Sequence, residues 1–256
     1  RLARLATGRS KIVVFGYSYH GSVDEAFALR DASGATISRP GSVAPPVPVG
    51  LTTRAAVWND LASVEEALRH GDVAAILTEP ALTNIGIVLP EPGFLEGVRE
   101  LATAYGALLM IDETPTFSVG WGGATTAWGL QPDIFVIGKS IGGGIPCGAY
   151  GLSEEVADLV TRHTATGEAD IVDVGGVGGT LAGNALSLTA MRATLGEVLT
   201  KDAFTHMIDL ATQFTEGVEG IFAEFDMPWT VTQLGARAEP LDDNQREQGG
   251  GGVGCH

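Results

Sequence analysis

The sequence is poor in basic charge, lysine and cysteine. Its 256 residues hold 15 Lys and Arg against 31 Asp and Glu, which gives a formal net charge of −16. Such a surface repels a phosphate backbone, so we expect no nucleic-acid partner. The two cysteines, Cys147 and Cys255, are too few for a disulfide framework or a metal site, and we interpret both as free thiols.

Long hydrophobic runs are also missing. No stretch approaches the roughly 18 to 20 uninterrupted apolar residues that cross a bilayer, and the first residues lack the charged-then-apolar pattern of a signal peptide. We therefore expect a cytoplasmic protein with no membrane partner. The start at Arg1 reads as a helix end followed by a glycine turn, so we expect a piece of a longer protein.

Apolar runs rich in Val and Ile alternate with longer segments of helical period, as in βα units around a mostly parallel sheet. Predicted strands lie at 11–16, 74–79, 107–112, 133–138 and 147–153, and predicted helices at 60–70, 94–106, 184–200 and 203–225. The pattern predicts an α/β fold in three layers, with helices on both faces of the sheet.

The periodicity also predicts a division of the chain into three parts. Residues 1–225 form the α/β domain, and residues 226–239, which include "MPWTVTQLGARAE", hold one strand that begins a second domain. Residues 240–256 are polar and Gly-rich without periodicity, and we expect them to be disordered.

Ionisable residues stand where three predicted strands end: Glu79, Asp112 and Lys139. Ligands of open α/β sheets bind outside the carboxyl ends of the strands. Burying these ions costs several kcal/mol unless they are paired, so a functional site is the favoured explanation for the set.

Lys139 is one of three lysines, with Lys11 and Lys201, and "SIGGGIPCG" follows it. A desolvated lysine at a strand end is a nucleophile able to form a Schiff base, whereas the alternative is a lysine that snorkels to solvent. The string "GKS" also matches the end of a Walker A motif. Asp133 stands where that motif requires glycine, and no GxGxxG string follows a predicted strand, so a nucleotide-binding module is disfavoured.

The strings "MIDETPTFSVGWGG" and "QPDIFVIGKSIGGGIPCGAYG" resemble the cofactor signature of the class III pyridoxal 5'-phosphate (PLP) aminotransferases and aminomutases, especially the glutamate-1-semialdehyde aminomutase-like branch. The resemblance extends from about Arg1 to Glu239. It implies the large domain of a fold type I PLP-dependent transferase. It further implies that Lys139 forms the Schiff base with PLP and that Asp112 pairs with the ring nitrogen, where local sequence alone also allows an exposed carboxylate.

Other family positions follow from the same resemblance. "YSYHG" implies that Tyr19 stacks on the ring, that Gly21 allows a close turn and that His20 belongs to the cofactor-binding set. "TEPALTNIGIVLPEPGFL" implies that Asn84 faces the phenolic oxygen and that Glu79 lies near the cofactor. The local alternatives are a packed tyrosine, a turn-capping asparagine and a solvated glutamate.

Two threonines complete the implied set. "GGVGGTLAGNALSLTAM" resembles the segment in which Thr180 reaches the phosphate of a neighbouring subunit's cofactor, which implies a homodimer. Thr114 is assigned to the cofactor-binding residues, although residues 114–118 depart from the Thr-Gly-Phe-Arg-like string of the family. That departure leaves the substrate open.

The implied activity is amino-group transfer between an amine or amino acid and an oxo acid or aldehyde. An aminomutase-type intramolecular transfer and a non-catalytic fragment are the alternatives. The family's phosphate-binding turn precedes this chain and most of its small C-terminal domain is missing, so we expect an incomplete large domain over 1–225, the start of a truncated small domain over 226–239, and weak PLP binding.

Overall fold

The computed structural model of the protein describes residues 1–165 and 178–242. Its strands are β1 (Lys11–Phe15), β2 (Ala28–Arg30), β3 (Thr36–Ser38), β4 (Thr53–Ala56), β5 (Val73–Thr78), β6 (Leu108–Asp112), β7 (Ile134–Gly138), β8 (Gly148–Leu152), β9 (Trp229–Leu234) and β10 (Arg237–Asp242). Its α-helices are α1 (Leu2–Thr7), α2 (Leu61–Leu68), α3 (Phe94–Tyr105), α4 (Gly123–Ala127), α5 (Glu154–Ala165), α6 (Ala185–Ala193) and α7 (Lys201–Glu224).

Six strands form the central sheet in the order β4-β1-β5-β6-β7-β8. The pairs from β4 to β7 are parallel, and β8 is antiparallel to β7. A mostly parallel sheet is therefore confirmed. The order places the carboxyl ends of β1, β5, β6 and β7 along one edge.

Successive residues of the central strands bury opposite faces, as the period of two requires. Leu109 and Ile111 of β6 pack with residues of α2 and α3, whereas Leu108 and Met110 pack with α1 and α5. Helices thus cover both faces, which confirms the predicted three layers. None of the helices in the described ranges is long and apolar enough to cross a membrane.

The five predicted strands and four predicted helices are all present, with small differences at their ends. The helix predicted over 184–200 divides into α6 and a π-helical turn, Thr194–Val198. The sequence did not indicate β2 or β3, which have three residues each, or α4, whose first residue is a glycine. It also did not indicate β4, the edge strand of the central sheet. The helix α5 was missed as well. Cys147 is a free thiol, and Cys255 lies outside the described residues.

The predicted single strand of residues 226–239 is wrong in detail, because β9 and β10 form an antiparallel hairpin there. Gly235 makes the turn with a left-handed φ of 59°. Residues 240–242 belong to β10 and are not disordered, and residues 243–256 lie outside the described part of the chain. The division into domains stays a prediction.

Candidate functional site

Three neighbouring strands bring the predicted ionisable residues to one edge of the sheet. Asp112 is the last residue of β6, while Glu79 and Lys139 directly follow β5 and β7. The backbone N–H of Glu113 donates to Val136 O at 2.8 Å, so β6 and β7 stay paired up to the site. The expected placement of the three residues is confirmed.

Asp112 is a buried carboxylate with two polar partners. Its Oδ2 lies 2.8 Å from Nδ1 of His20, and its Oδ1 accepts a hydrogen bond from Thr114 N at 2.9 Å. Burial opposes the charged form, but the hydrogen bonds and the His20 ring outweigh it and lower the pKa of Asp112 below its ordinary value. The residue is 5 % exposed, so the alternative of a surface carboxylate is wrong, and the group is an anion at neutral pH.

The His20 ring is a hydrogen-bond partner of Asp112. Its side chain is 3 % exposed, and a ring N–H at Nδ1 donates to the carboxylate. Within residues 1–165 and 178–242, the buried Nε2 has no hydrogen-bond partner. An unpaired buried ring nitrogen is uncommon in proteins and is a feature of functional sites.

Glu79 is fully buried, so the alternative of a solvated glutamate is wrong. Its Oε1 accepts from Tyr19 N at 3.1 Å, and Thr83 Oγ1 lies 2.5 Å from its Oε2. Burial raises the pKa of Glu79 and the nearby Asp112 charge adds to the rise, although the bond with Thr83, the His20 ring and the Tyr19 N–H act in the opposite direction.

The other expected cofactor residues are Tyr19, Gly21, Asn84 and Thr180, which lie in loops of the fold. Tyr19 is 41 % exposed and touches Phe27 edge-on at 6.0 Å between ring centroids, so it is not a core residue. Gly21 has a φ of 87°, which a larger residue adopts only with strain, and Asn84 is exposed. Thr180 is exposed next to residues outside the described ranges. The cofactor roles of these residues stay predictions.

Lys139 begins a 3₁₀ turn, Lys139–Gly142, with a left-handed φ of 53°. The expected desolvation of its amine is wrong, because the side chain is exposed. The turn folds back so closely that a Cβ on Gly142 would lie 2.4 Å from Cys147 Sγ. The glycines after Lys139 therefore allow a compact turn that leaves the amine accessible.

Sequence reasoning missed Glu113, a second fully buried carboxylate. It accepts from Thr116 Oγ1 at 2.6 Å and from the N–H groups of Ala124 and Thr125 at the start of α4. These bonds tie down the loop that carries Thr114. The reason for the neighbouring glycine is visible only in the structure, where a Cβ on Gly123 would lie 2.9 Å from the Glu113 carboxylate.

Known proteins resemble the chain over most of its length. The family model described as "Aminotransferase class-III" matches residues 1–239. A glutamate-1-semialdehyde 2,1-aminomutase of Roseiflexus castenholzii is 40% identical over 240 residues, which cover 92% of this chain and 53% of the relative. The chain thus spans about half the length of the curated relatives it matches.

Solved structures of the same family also resemble this chain. A glutamate-1-semialdehyde-aminomutase variant from Pseudomonas aeruginosa PAO1, in complex with PMP, is 47% identical with a TM-score of 0.90, over 94% of this chain and 54% of that one. An omega-transaminase from Sphaerobacter thermophilus is 31% identical with a TM-score of 0.75, over 91% and 54%. The likeness confirms the predicted fold, the large domain of PLP-dependent transferases. The chain therefore belongs to the class III aminotransferase family.

Proposed function

We propose that this chain is the cofactor-binding part of a PLP-dependent enzyme that transfers an amino group between an amine or amino acid and an oxo acid or aldehyde. The observation that carries the proposal is the placement of a buried anion, Asp112, and an exposed lysine, Lys139, at the ends of adjacent parallel strands. A nucleotide or dinucleotide site needs a Walker A or a GxGxxG phosphate motif, and neither follows a strand at this edge of the sheet.

The chemistry of these residues fits PLP. Asp112 keeps its charge at neutral pH and has lone pairs beyond those used by His20 and Thr114 N, so it can hold a protonated ring nitrogen. Tyr19 offers an exposed ring for stacking beside the same turn. When bound, PLP supplies an electron sink for the carbon that loses its proton.

Lys139 has two tasks in this proposal. Its Nζ would hold the cofactor covalently at rest, and the same amine, once displaced, could move a proton between carbon atoms as a general base. Its exposure supports the exchange with a substrate amine, which would have to reach the cofactor carbon bonded to Nζ. Asp112, held by His20, would keep the ring nitrogen protonated.

The test is covalent labelling. The protein is mixed with PLP and reduced with borohydride, and the modified lysine is found by mass spectrometry. We expect the label on Lys139 and its loss in Lys139→Ala, with Lys11→Ala and Lys201→Ala as matched controls. Lys11 Nζ donates to Gly50 O, and Lys201 Nζ lies 4.7 Å from the Trp121 ring centroid. A label that stays in Lys139→Ala contradicts the proposal.

Intramolecular transfer is the second candidate, because the aminomutases are relatives at 40% identity and 47% identity. The two reactions differ in their need for a second substrate. A glutamate-1-semialdehyde substrate that isomerises without any oxo acid supports the aminomutase. A product that forms only when an oxo acid is added supports the aminotransferase. A homodimer and a cytoplasmic location stay part of the proposal.

A further inference from the structure

Glu79 joins separate parts of the fold at the carboxyl edge of the sheet. It follows β5 and has no exposed surface. One carboxyl oxygen bonds Tyr19 N in the turn after β1, and the other bonds Thr83 Oγ1 four residues further along its own loop. With both oxygens engaged inside the protein, the side chain presents nothing to a ligand.

The hydrogen bond from Tyr19 N to Glu79 affects the Asp112 site through His20, the residue that follows Tyr19. His20 follows Tyr19, and its ring contacts Asp112 at 2.8 Å. The turn between Gly16 and Gly21 includes Tyr17 at a φ of 65°, a left-handed conformation that costs free energy in a residue with a side chain. Such a turn persists only when surrounding contacts hold it, and Glu79 supplies one from inside.

The bond to Thr83 extends the contacts to the C-terminal hairpin. Arg237 of β10 donates from Nη2 to Thr83 O at 2.9 Å and also pairs with Glu239. Thr83 precedes Asn84, the residue expected to face the cofactor oxygen. The loop after β5 is therefore held by Glu79 on one side and by the hairpin on the other.

We propose that Glu79 is a positioning residue that holds the turn of residues 16–21, so that the His20 ring stays on Asp112 and the Tyr19 ring stays at the edge of the site. This positioning role replaces the expectation that the Glu79 side chain contacts the cofactor. The effect on bound PLP rests on the proposed function, whereas the effect on the turn does not.

The carboxyl group suits this role because its two oxygens reach Tyr19 N and Thr83 Oγ1 at the same time. The charged or titratable groups that act on it are Asp112 and His20, and burial is the main reason that its pKa is raised. Glutamine has the shape of the protonated acid and can still accept from Tyr19 N and bond Thr83 Oγ1.

The test measures the turn directly, by amide hydrogen exchange of the apoprotein. In Glu79→Leu, which keeps the volume and loses both hydrogen bonds, we expect exchange over residues 16–21 to rise by about tenfold or more. In Glu79→Gln, we expect it to stay within about threefold of the parent protein. Val64→Ala is the matched control, since it weakens the core below the sheet without touching the turn.

Visible circular dichroism of the PLP-loaded protein is the second measurement, because it reports the orientation of the bound ring. We expect a weaker signal in Glu79→Leu and an unchanged signal in Val64→Ala. If Glu79→Leu does not fold, Glu79→Asp takes its place, since the shorter side chain cannot span Tyr19 N and Thr83 Oγ1 together.

Unchanged exchange over residues 16–21 in the folded Leu or Asp variant would overturn the positioning role. Faster exchange in Glu79→Gln to the level of Glu79→Leu would show that a side chain able to make both hydrogen bonds does not hold the turn, which would also overturn the positioning role. If Lys139 takes up no PLP even in the parent protein, the proposed function fails, and exchange in the apoprotein still decides the role of Glu79.

Discussion

At the scale of residues, two carboxylates on adjacent strands have opposite environments. Asp112 receives hydrogen bonds that favour its charge, and its pKa falls; Glu79 is more deeply buried, and its pKa rises. The difference follows from partners, since the His20 ring bonds Asp112 directly and only influences Glu79 from nearby.

Substitution of Asp112 by asparagine should separate the attachment of PLP to Lys139 from the rate of substrate turnover. We expect Asp112→Asn to take up PLP at Lys139, while turnover falls by about a hundredfold or more, because a neutral amide does not keep the ring nitrogen protonated. The fraction of labelled Lys139 and the kcat are measured side by side. Equal turnover in the variant and the parent would remove Asp112 from this role.

The raised pKa of Glu79 predicts how stability depends on pH. Its contribution is fully present below the ordinary value of 4.5 and is lost as the pH rises through the higher folded-state value. Glutamine does not titrate. The free energy of unfolding of Glu79→Gln, relative to the parent protein, should therefore increase with pH above about 4.5.

Urea unfolding between about pH 4 and pH 8 measures this difference. Glu96→Gln is the control, because Glu96 is exposed in the first turn of α3, and we expect a much smaller trend there. A flat difference for Glu79→Gln would show that the buried acid does not hold its proton in the folded protein.

At the scale of elements, the β9–β10 hairpin packs on the loop that follows Asp112. Ala236 N donates to Ser118 O at 2.9 Å, and Leu234 is buried beside Val119. Gly235 allows this contact, because a Cβ there would lie 2.4 Å from Val119 Cα. The hairpin thus stabilises two site loops, one through Gly235 and one through the bond from Arg237 to Thr83.

We expect Gly235→Ala to destabilise the protein by about 2 to 4 kcal/mol, since the residue has a left-handed φ and its neighbour is backbone that must move. Gly217→Ala in α7 is the matched control. Its Cβ meets nothing within 4 Å and helix propensity favours alanine, so a gain of about 0.5 to 1 kcal/mol is expected. Denaturant unfolding measures both, and a neutral Gly235→Ala would contradict the docking described above.

At the scale of the whole molecule, large apolar side chains on and next to α6 and α7 face solvent. Those at least half exposed are Leu181, Leu186, Val198, Phe214, Ile221 and Phe225. Large apolar side chains exposed together are typical of protein interfaces. It supports the proposed homodimer, in which Thr180 serves the neighbouring site.

The dimer predicts that Leu181→Asp, next to Thr180, shifts the protein from dimer toward monomer. Leu181 is 77 % exposed, and an aspartate there would be buried without a partner on association. Val43→Asp is the control at a residue that is 89 % exposed elsewhere in the fold. Light scattering measures the mass of each, and a parent protein that is monomeric, loaded with PLP and active would refute the dimer.

The sequence by itself determined five of the six strands of the central sheet, four of the helices and the strand-end positions of Glu79, Asp112 and Lys139. These features depend on local periodicity, in which apolar residues two or about 3.6 positions apart form one buried face. The resemblance of "MIDETPTFSVGWGG" and "QPDIFVIGKSIGGGIPCGAYG" added the cofactor, because those strings match the family's cofactor signature. They lie along β6, β7 and β8 and the loops between them.

Only the tertiary structure decided what each strand-end residue touches. Tyr19 and Glu79 are 60 residues apart, and His20 and Asp112 are 92 apart, so their bonds exist only because β1, β5 and β6 lie side by side. The same order buries Glu79 and leaves Lys139 exposed. Periodicity describes which face of a strand is buried, whereas the partner and charge of a residue beyond the strand depend on the neighbours that the sheet order brings together.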